Sequence, residues 1–103
     1  MTRPEILDAA KACVCGERNE DYGKPEDNFA TIAEMWNSYL YALNSHLYSY
    51  SRDIIGPADV AAMMILLKVA RGARNKAHDD NWIDLAGYAA CAGEITSAEA
   101  VDQ

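Results

Sequence analysis

Asp80 and Asp84 are spaced one helical turn apart, and Cys91 and Glu94 continue near the same line at helical spacing. Two like charges so placed repel by roughly a few tenths of a kcal/mol unless a metal ion or a cationic side chain neutralises them. Hard divalent cations take carboxylate oxygens, so one chemistry open to this face is a magnesium or polar-ligand site held by Asp80 and Asp84. The plainer alternative is a solvated acidic face on which Asp80 merely caps its helix. Gly87 sits beside the line and would admit a second backbone or a ligand, whereas Trp82, Leu85, Ala86 and Ala89 fall toward the opposite, apolar side.

Cationic and aromatic groups form a second set of candidates. Lys68 and Arg71 project about 60° apart on an otherwise apolar helix. They call for an anion, either Asp80 or Asp84 of the neighbouring helix or a ligand phosphate. Residues 18–25 carry Arg18, a planar fork for phosphate or carboxylate, then Tyr22, a ring that can stack on a base, and Gly23, free to take positive φ. The same three suit an ordinary connector in which Arg18 pairs with Asp21 and Tyr22 plugs the core. Asn28 either meets a ligand or caps the second helix. His78 either donates to a phosphate or is an ordinary surface histidine. The cysteines, Cys13, Cys15 and Cys91, are odd in number, imply no disulfide framework and read as structural thiols. The chain has no Gly-rich phosphate loop, no nucleophile with a neighbouring His and no His cluster for zinc, so a covalent mechanism has little support.

These groups must be positioned by helices. Thr2-Arg3-Pro4-Glu5 is a capping box with Pro in the first turn, which predicts a helix to about residue 16 or 17 with Ile6, Ala9, Ala10 and Cys13 on its apolar face. Residues 18–25 break it. Phe29, Ile32, Ala33, Trp36, Tyr39, Leu40 and Leu43 recur at three- and four-residue steps, which predicts a second helix over 26–43. Residues 44–56 show no clean period and read as loop or frayed turn, with a short hairpin as the other option. Gly56-Pro57 opens a third helix to about residue 71, apolar all round from 60 to 67. A helix of that kind in so small a domain implies packing against a neighbouring subunit as well as the home core. A basic connector over 72–78 leads to a last helix that Asp79 or Asp80 can cap, ending near residue 95 or 97 before a fraying tail. The expectation is a single all-α domain over 1–103, a four-helix bundle-like fold that oligomerises.

Composition narrows the function. With 103 residues there is room for one domain, and half of them are hydrophobic, enough for a core. Sixteen acids against nine bases give a net charge of −7, which repels the phosphate backbone and disfavours a general nucleic-acid role. The longest apolar run, 60–67, falls far short of the roughly 20 residues that cross a bilayer, and the first residues form no secretory leader, so a cytoplasmic protein is expected.

Three stretches agree in order with a known group of proteins. They are 17–29 around Asp21-Tyr22-Gly23-Lys24-Pro25-Glu26-Asp27-Asn28-Phe29, 59–71 around Asp59-Val60-Ala61-Ala62-Met63-Met64, and 78–88 with Asp84-Leu85-Ala86-Gly87-Tyr88. Together they are similar to a family of small helical proteins encoded by tailed phages and prophages, over most of the chain except 44–56. More distantly, Asp84-Leu85-Ala86-Gly87-Tyr88 resembles the last metal-binding helix of MazG-like all-α nucleoside triphosphate pyrophosphohydrolases. In those enzymes Glu-x-x-Glu on one helix and Glu-x-x-Asp on another hold magnesium against the triphosphate. Here Glu34 has no acid three residues on and lies on the wheel opposite Phe29, Trp36 and Leu40, while Asp59 stands about 180° from Lys68. The four-carboxylate cluster is not recoverable within one protomer, although a neighbour could supply part of it.

That departure orders the expectations. Magnesium-assisted hydrolysis needs several convergent carboxylates, whereas holding a nucleotide needs cations, a ring and shape. The first expectation is a phage-type helical oligomer in the infected bacterial cell that binds a nucleotide-like ligand, sequestering a host immune signal without turnover and without a required cofactor. Arg18, Lys68 and Arg71 would meet phosphate, Tyr22 or Trp82 would stack, Asp80 or Asp84 would accept from base or ribose, and Asn28 and His78 would lie at the margin. The second is a divergent pyrophosphohydrolase with Asp80 and Asp84 on Mg²⁺. The third is a structural adaptor that assembles through its apolar third helix.

Overall fold

The computed structural model of the chain describes residues 1–16, 23–49 and 54–102, the side chains of 101 and 102 excepted. Its elements follow from local chemistry. Helix α1, Arg3–Cys15, starts where the Thr2 hydroxyl accepts the Glu5 N–H and the Glu5 carboxylate accepts the Thr2 N–H. It ends where the Gly16 N–H reaches back to the Ala12 carbonyl. Helix α2, Pro25–Leu43, begins at a proline and carries Glu26 and Asp27 in its first turn, where carboxylates complement the positive end of the helix dipole. Asn44 then turns the chain. Its side-chain oxygen accepts the His46 N–H and opens a 3₁₀ turn, Ser45–Tyr48, in the aperiodic stretch. Residues 50–53 lie outside the described residues, so the hairpin option for that stretch is not addressed there.

Helix α3, Pro57–Arg74, starts at Gly56, whose N–H donates to the Asp59 carboxylate at 2.9 Å, and places Arg71 and Arg74 in its last turn. It runs three residues past the expected end because Gly72 is buried, with the space of its missing side chain lying against the Trp82 indole. Helix α4, Asp79–Asp102, puts Asp79 and Asp80 in its first turn and continues through the stretch expected to fray. The alanines and glutamate of 97–100 are strong enough helix formers to extend it.

The fold is all-α, with four α-helices and no strand among the described residues. Helix α4 packs most extensively on α3 and next on α1, while α2 packs on α3. The core gathers Phe29, Ala33, Val60, Ala61 and Cys91, with Val14, Ile32, Trp36, Met64, Tyr88 and Ile95 packed around them. On α2 the expected stripe divides. Phe29 and Ala33 are buried, but Tyr39 and Leu43 are exposed together with Met35. On α3, Val60 and Ala61 are fully buried, yet Met63, Leu66, Leu67 and Val69 on the outer side remain in water. The molecule is correspondingly extended, with a radius of gyration of 15.3 Å where a compact chain of this length has about 13 Å.

Asn37 is a core residue that sequence patterning passed over. It is buried on α2, donates to the Ile55 carbonyl at 2.9 Å, and accepts the Ile55 N–H at 3.0 Å and the Tyr48 hydroxyl at 2.8 Å. One amide thereby ties the 3₁₀ turn and the entry to α3 onto α2.

Candidate ligand-binding site

Helices α1 and α2 make little direct contact with each other, and the gap between them over α4 is a pocket of about 440 Å³. Its walls are Cys13 and Val14 of α1, Asn28, Phe29 and Ile32 of α2, Lys68 of α3, and Ile83, Asp84, Gly87, Tyr88 and Cys91 of α4. The α4 contribution comes from positions four apart, 83, 87 and 91, with 84 and 88 beside them, which is one face of a helix. That face differs from the expected one. The apolar side of α4 runs along Ile83, Gly87 and Cys91, while Trp82 and Ala89 are exposed. Gly87 is what brings α1 near, since a methyl group built on it would lie 3.1 Å from Val14 Cγ1.

Two features give the pocket chemistry. The rings of Phe29 and Tyr88 meet at a centroid separation of 5.8 Å and an angle of 41°, forming a broad aromatic wall. Beside them Lys68 Nζ and Asp84 Oδ2 form an ion pair at 2.9 Å, with side chains 12% and 29% exposed. Among the described residues neither group has another partner. The pair is net neutral and leaves Asp84 Oδ1 and two ammonium protons unused. At the edge of the pocket Cys91 is buried, and desolvation raises its thiol above the ordinary range, reinforced by the charge of Glu26. It stays protonated and serves packing, as expected of a structural thiol.

The structure divides the residues singled out from sequence. Lys68, Asp84 and Asn28 come together in the pocket. Arg71, only about 60° further round α3, is exposed and outside it. His78 and Asp80 form a separate exposed couple, Nε2 to Oδ2 at 3.7 Å, at the α3–α4 corner. Trp82 is engaged at the same corner, where its indole N–H donates to the Lys76 carbonyl at 2.9 Å. Arg18 and Tyr22 lie outside the described residues. Phe29, Tyr88 and Ile83 are pocket residues that pattern reading assigned only to packing or passed over; for the two on α4 the signal was the i, i+4 relation of Tyr88 to Asp84 and of Ile83 to Gly87.

Among the described residues the carboxylates that a magnesium site would draw on are dispersed. Asp84 is taken up by Lys68, Asp80 turns to His78, Asp59 is engaged with the Gly56 N–H, and Glu34 is exposed. Among the described residues no group of three or more His, Cys, Asp or Glu side chains gathers to hold a metal. No helix among the described residues is long and apolar enough to cross a membrane.

Comparison with known proteins places the chain among phage sequences. The family model DUF6378, a domain of unknown function, matches residues 5–96. The chain is 39% identical over 90 residues to the Gene 55 protein of Mycobacterium phage D29, covering 87% of this chain and 52% of that protein. It is likewise 39% identical over 84 residues to the Gene 55 protein of Mycobacterium phage L5, covering 82% and 47%. The chain thus spans about half the length of these curated relatives. No solved structure matches it significantly.

Proposed function

The chain belongs to the DUF6378 family, and we propose that it is a nucleotide-binding protein that holds its ligand without turning it over, sequestering a nucleotide signal of the host defence during phage infection. The observation that carries this reading is the pocket over α4. At about 440 Å³ it falls within the roughly 300–1,000 Å³ of small-molecule sites, and it combines an aromatic wall with one preformed donor–acceptor pair. A flat heterocycle finds stacking and a polar edge there. Phosphates attached to it would extend toward Arg71, which is exposed outside the apolar part. Retention without hydrolysis agrees with the dispersal of the carboxylates among the described residues. The site of action is the cytoplasm of the infected bacterial cell.

Self-association is part of the same proposal. The accessible surface is 7499 Å², about 1,800 Å² more than a compact monomer of this mass exposes. A standard interface covers about 800 Å² on each partner. The outer face of α3, with Met63, Leu66, Leu67 and Val69, together with Met35, Tyr39 and Leu43 of α2, leaves large apolar side chains in water. A second copy of the chain is the occupant that matches it, and native mass measurement of the protein should return a multimer that Leu66→Glu converts to monomer.

Function is tested by melting the protein with a panel of linear and cyclic nucleotides. The expected result is a ligand-dependent rise in Tm, with the nucleotide recovered intact after heating. Phosphate release in the presence of Mg²⁺, abolished in Asp84→Ala, would overturn sequestration in favour of a pyrophosphohydrolase. No shift with any nucleotide would overturn ligand binding and leave an assembly role.

A further inference from the structure

The ion pair in the pocket specifies more than a nucleotide. A partly buried Lys–Asp pair contributes little to stability, because desolvating both charges offsets most of their attraction. This one faces a cavity, and among the described residues its remaining hydrogen-bonding capacity is unspent. Lys68 Nζ already touches Asp84 Oδ2, so an incoming phosphate would meet the carboxylate as well as the ammonium. The couple instead matches a neutral edge that offers donors to Asp84 and an acceptor to Lys68.

Among the bases one edge fits best. Asp84 presents two oxygens side by side, Oδ1 free and Oδ2 with a second lone pair beyond its bond to Lys68. Two adjacent N–H groups are needed to fill them, and guanine supplies N1–H and N2–H together, with O6 next to them for Lys68. Adenine offers only its N6 amine beside a ring nitrogen, and uracil a single N3–H. The ring pair Phe29 and Tyr88 lines the same pocket and supplies an aromatic wall for a purine.

We propose that Asp84 and Lys68 read the Watson–Crick edge of a guanine, so that the ligand of this pocket is a guanine nucleotide. The proposal rests on the nucleotide-binding reading above and assigns its selectivity. Removing one of two paired hydrogen bonds to a base is expected to weaken binding at least about tenfold. Hypoxanthine lacks the N2 amine and is the probe for that loss.

The experiment titrates the full chain with GMP, IMP, XMP and AMP by calorimetry. GMP should bind at least about tenfold more tightly than IMP and AMP. Asp84→Asn keeps the shape but turns one acceptor into a donor, so it should shift preference to XMP, whose O2 replaces the N2 amine. A structural ion pair would not produce that exchange. The comparison of GMP with IMP needs no variant and stands if Asp84→Asn misfolds. Equal binding of GMP, IMP and AMP overturns the guanine assignment while nucleotide binding survives. Binding of none of the four, nor of cyclic or longer guanine nucleotides, overturns both.

Discussion

Asn37 on α2 and the Lys68–Asp84 pair between α3 and α4 are both polar groups set into apolar surroundings, and they differ in how completely they are satisfied. Asn37 has both acceptor positions filled and a donor engaged, all by groups of this chain. Lys68 and Asp84 have only each other among the described residues, and the cavity beside them is open. A buried polar group whose partners are all internal fixes architecture. A half-satisfied pair lining a cavity has capacity for something that is not the protein.

The comparison predicts unequal costs. Asn37→Ala strands the Ile55 N–H and carbonyl and the Tyr48 hydroxyl at once, and should lower unfolding stability by about 3 kcal/mol in urea titration. Tyr48→Phe removes one bond of the three and should cost about 1 kcal/mol. Neither change should alter ligand selectivity. A ligand effect without a stability effect at Asn37 would erase the distinction between the two regions.

At the pocket the prediction is a cycle. Asp84→Leu leaves Lys68, the more buried partner, without its counter-charge and should cost about 1–2 kcal/mol, reduced from the value for a fully buried pair because Asp84 keeps contact with water. Lys68→Met should cost less, since the stranded carboxylate is the better solvated. The double variant should recover most of the loss, because an apolar pair suits the surrounding Phe29, Ile32 and Ile83. All three should lose the ligand. Stability that recovers while binding does not would show that the pair serves recognition.

The two regions also differ in how far sequence reached them. The capping box at Thr2, Pro57 at a helix start and the α2 stripe are local signals, and helices appear where they point, α2 starting one residue earlier, at Pro25, which read as part of the breaker. Lys68, Asp84 and Asn28 were legible as polar residues on helical faces, but their convergence depends on how α2, α3 and α4 pack. Asn37 was missed because its partners come from an aperiodic stretch 11 and 18 residues away, a distance no helical period encodes. Trp82 read as a stacking ring, yet its indole N–H is held by Lys76. A wheel gives direction without saying which neighbour stands there.

Gly87 tests whether the pocket depends on the spacing of its walls. Gly87→Ala gains about 1 kcal/mol of helix propensity but brings a methyl group to 3.1 Å from Val14 Cγ1, so α1 must yield by a few tenths of an ångström. The net change in Tm should be small. Gly87→Val cannot be accommodated so cheaply and should destabilise the protein while weakening the ligand, because Val14 is itself a pocket wall. Loss of binding at unchanged Tm in Gly87→Ala would show that the width of the cleft, more than the ion pair, controls recognition.

The smallest effect belongs to a reciprocal polar pair held in water, which calibrates what satisfaction is worth without burial. The Glu5 carboxylate accepts the Thr2 hydroxyl at 2.7 Å and the Thr2 N–H at 3.0 Å, and these bonds, the hydroxyl first, hold its pKa below the ordinary carboxylate range. A lowered folded-state pKa means that the folded chain binds this proton less readily than the unfolded one. The stabilisation is therefore complete above the ordinary carboxylate pKa and is lost as pH falls through the lowered value. Glu5→Gln should accordingly melt slightly below the parent at neutral pH, and the gap should close on acidification as Glu5 itself becomes neutral. Asn37→Ala should show no such convergence, because none of its three lost bonds involves a carboxylate. A pH-dependent gap at Asn37 would mean that its destabilisation arises elsewhere than in the bonds it makes to Ile55 and Tyr48.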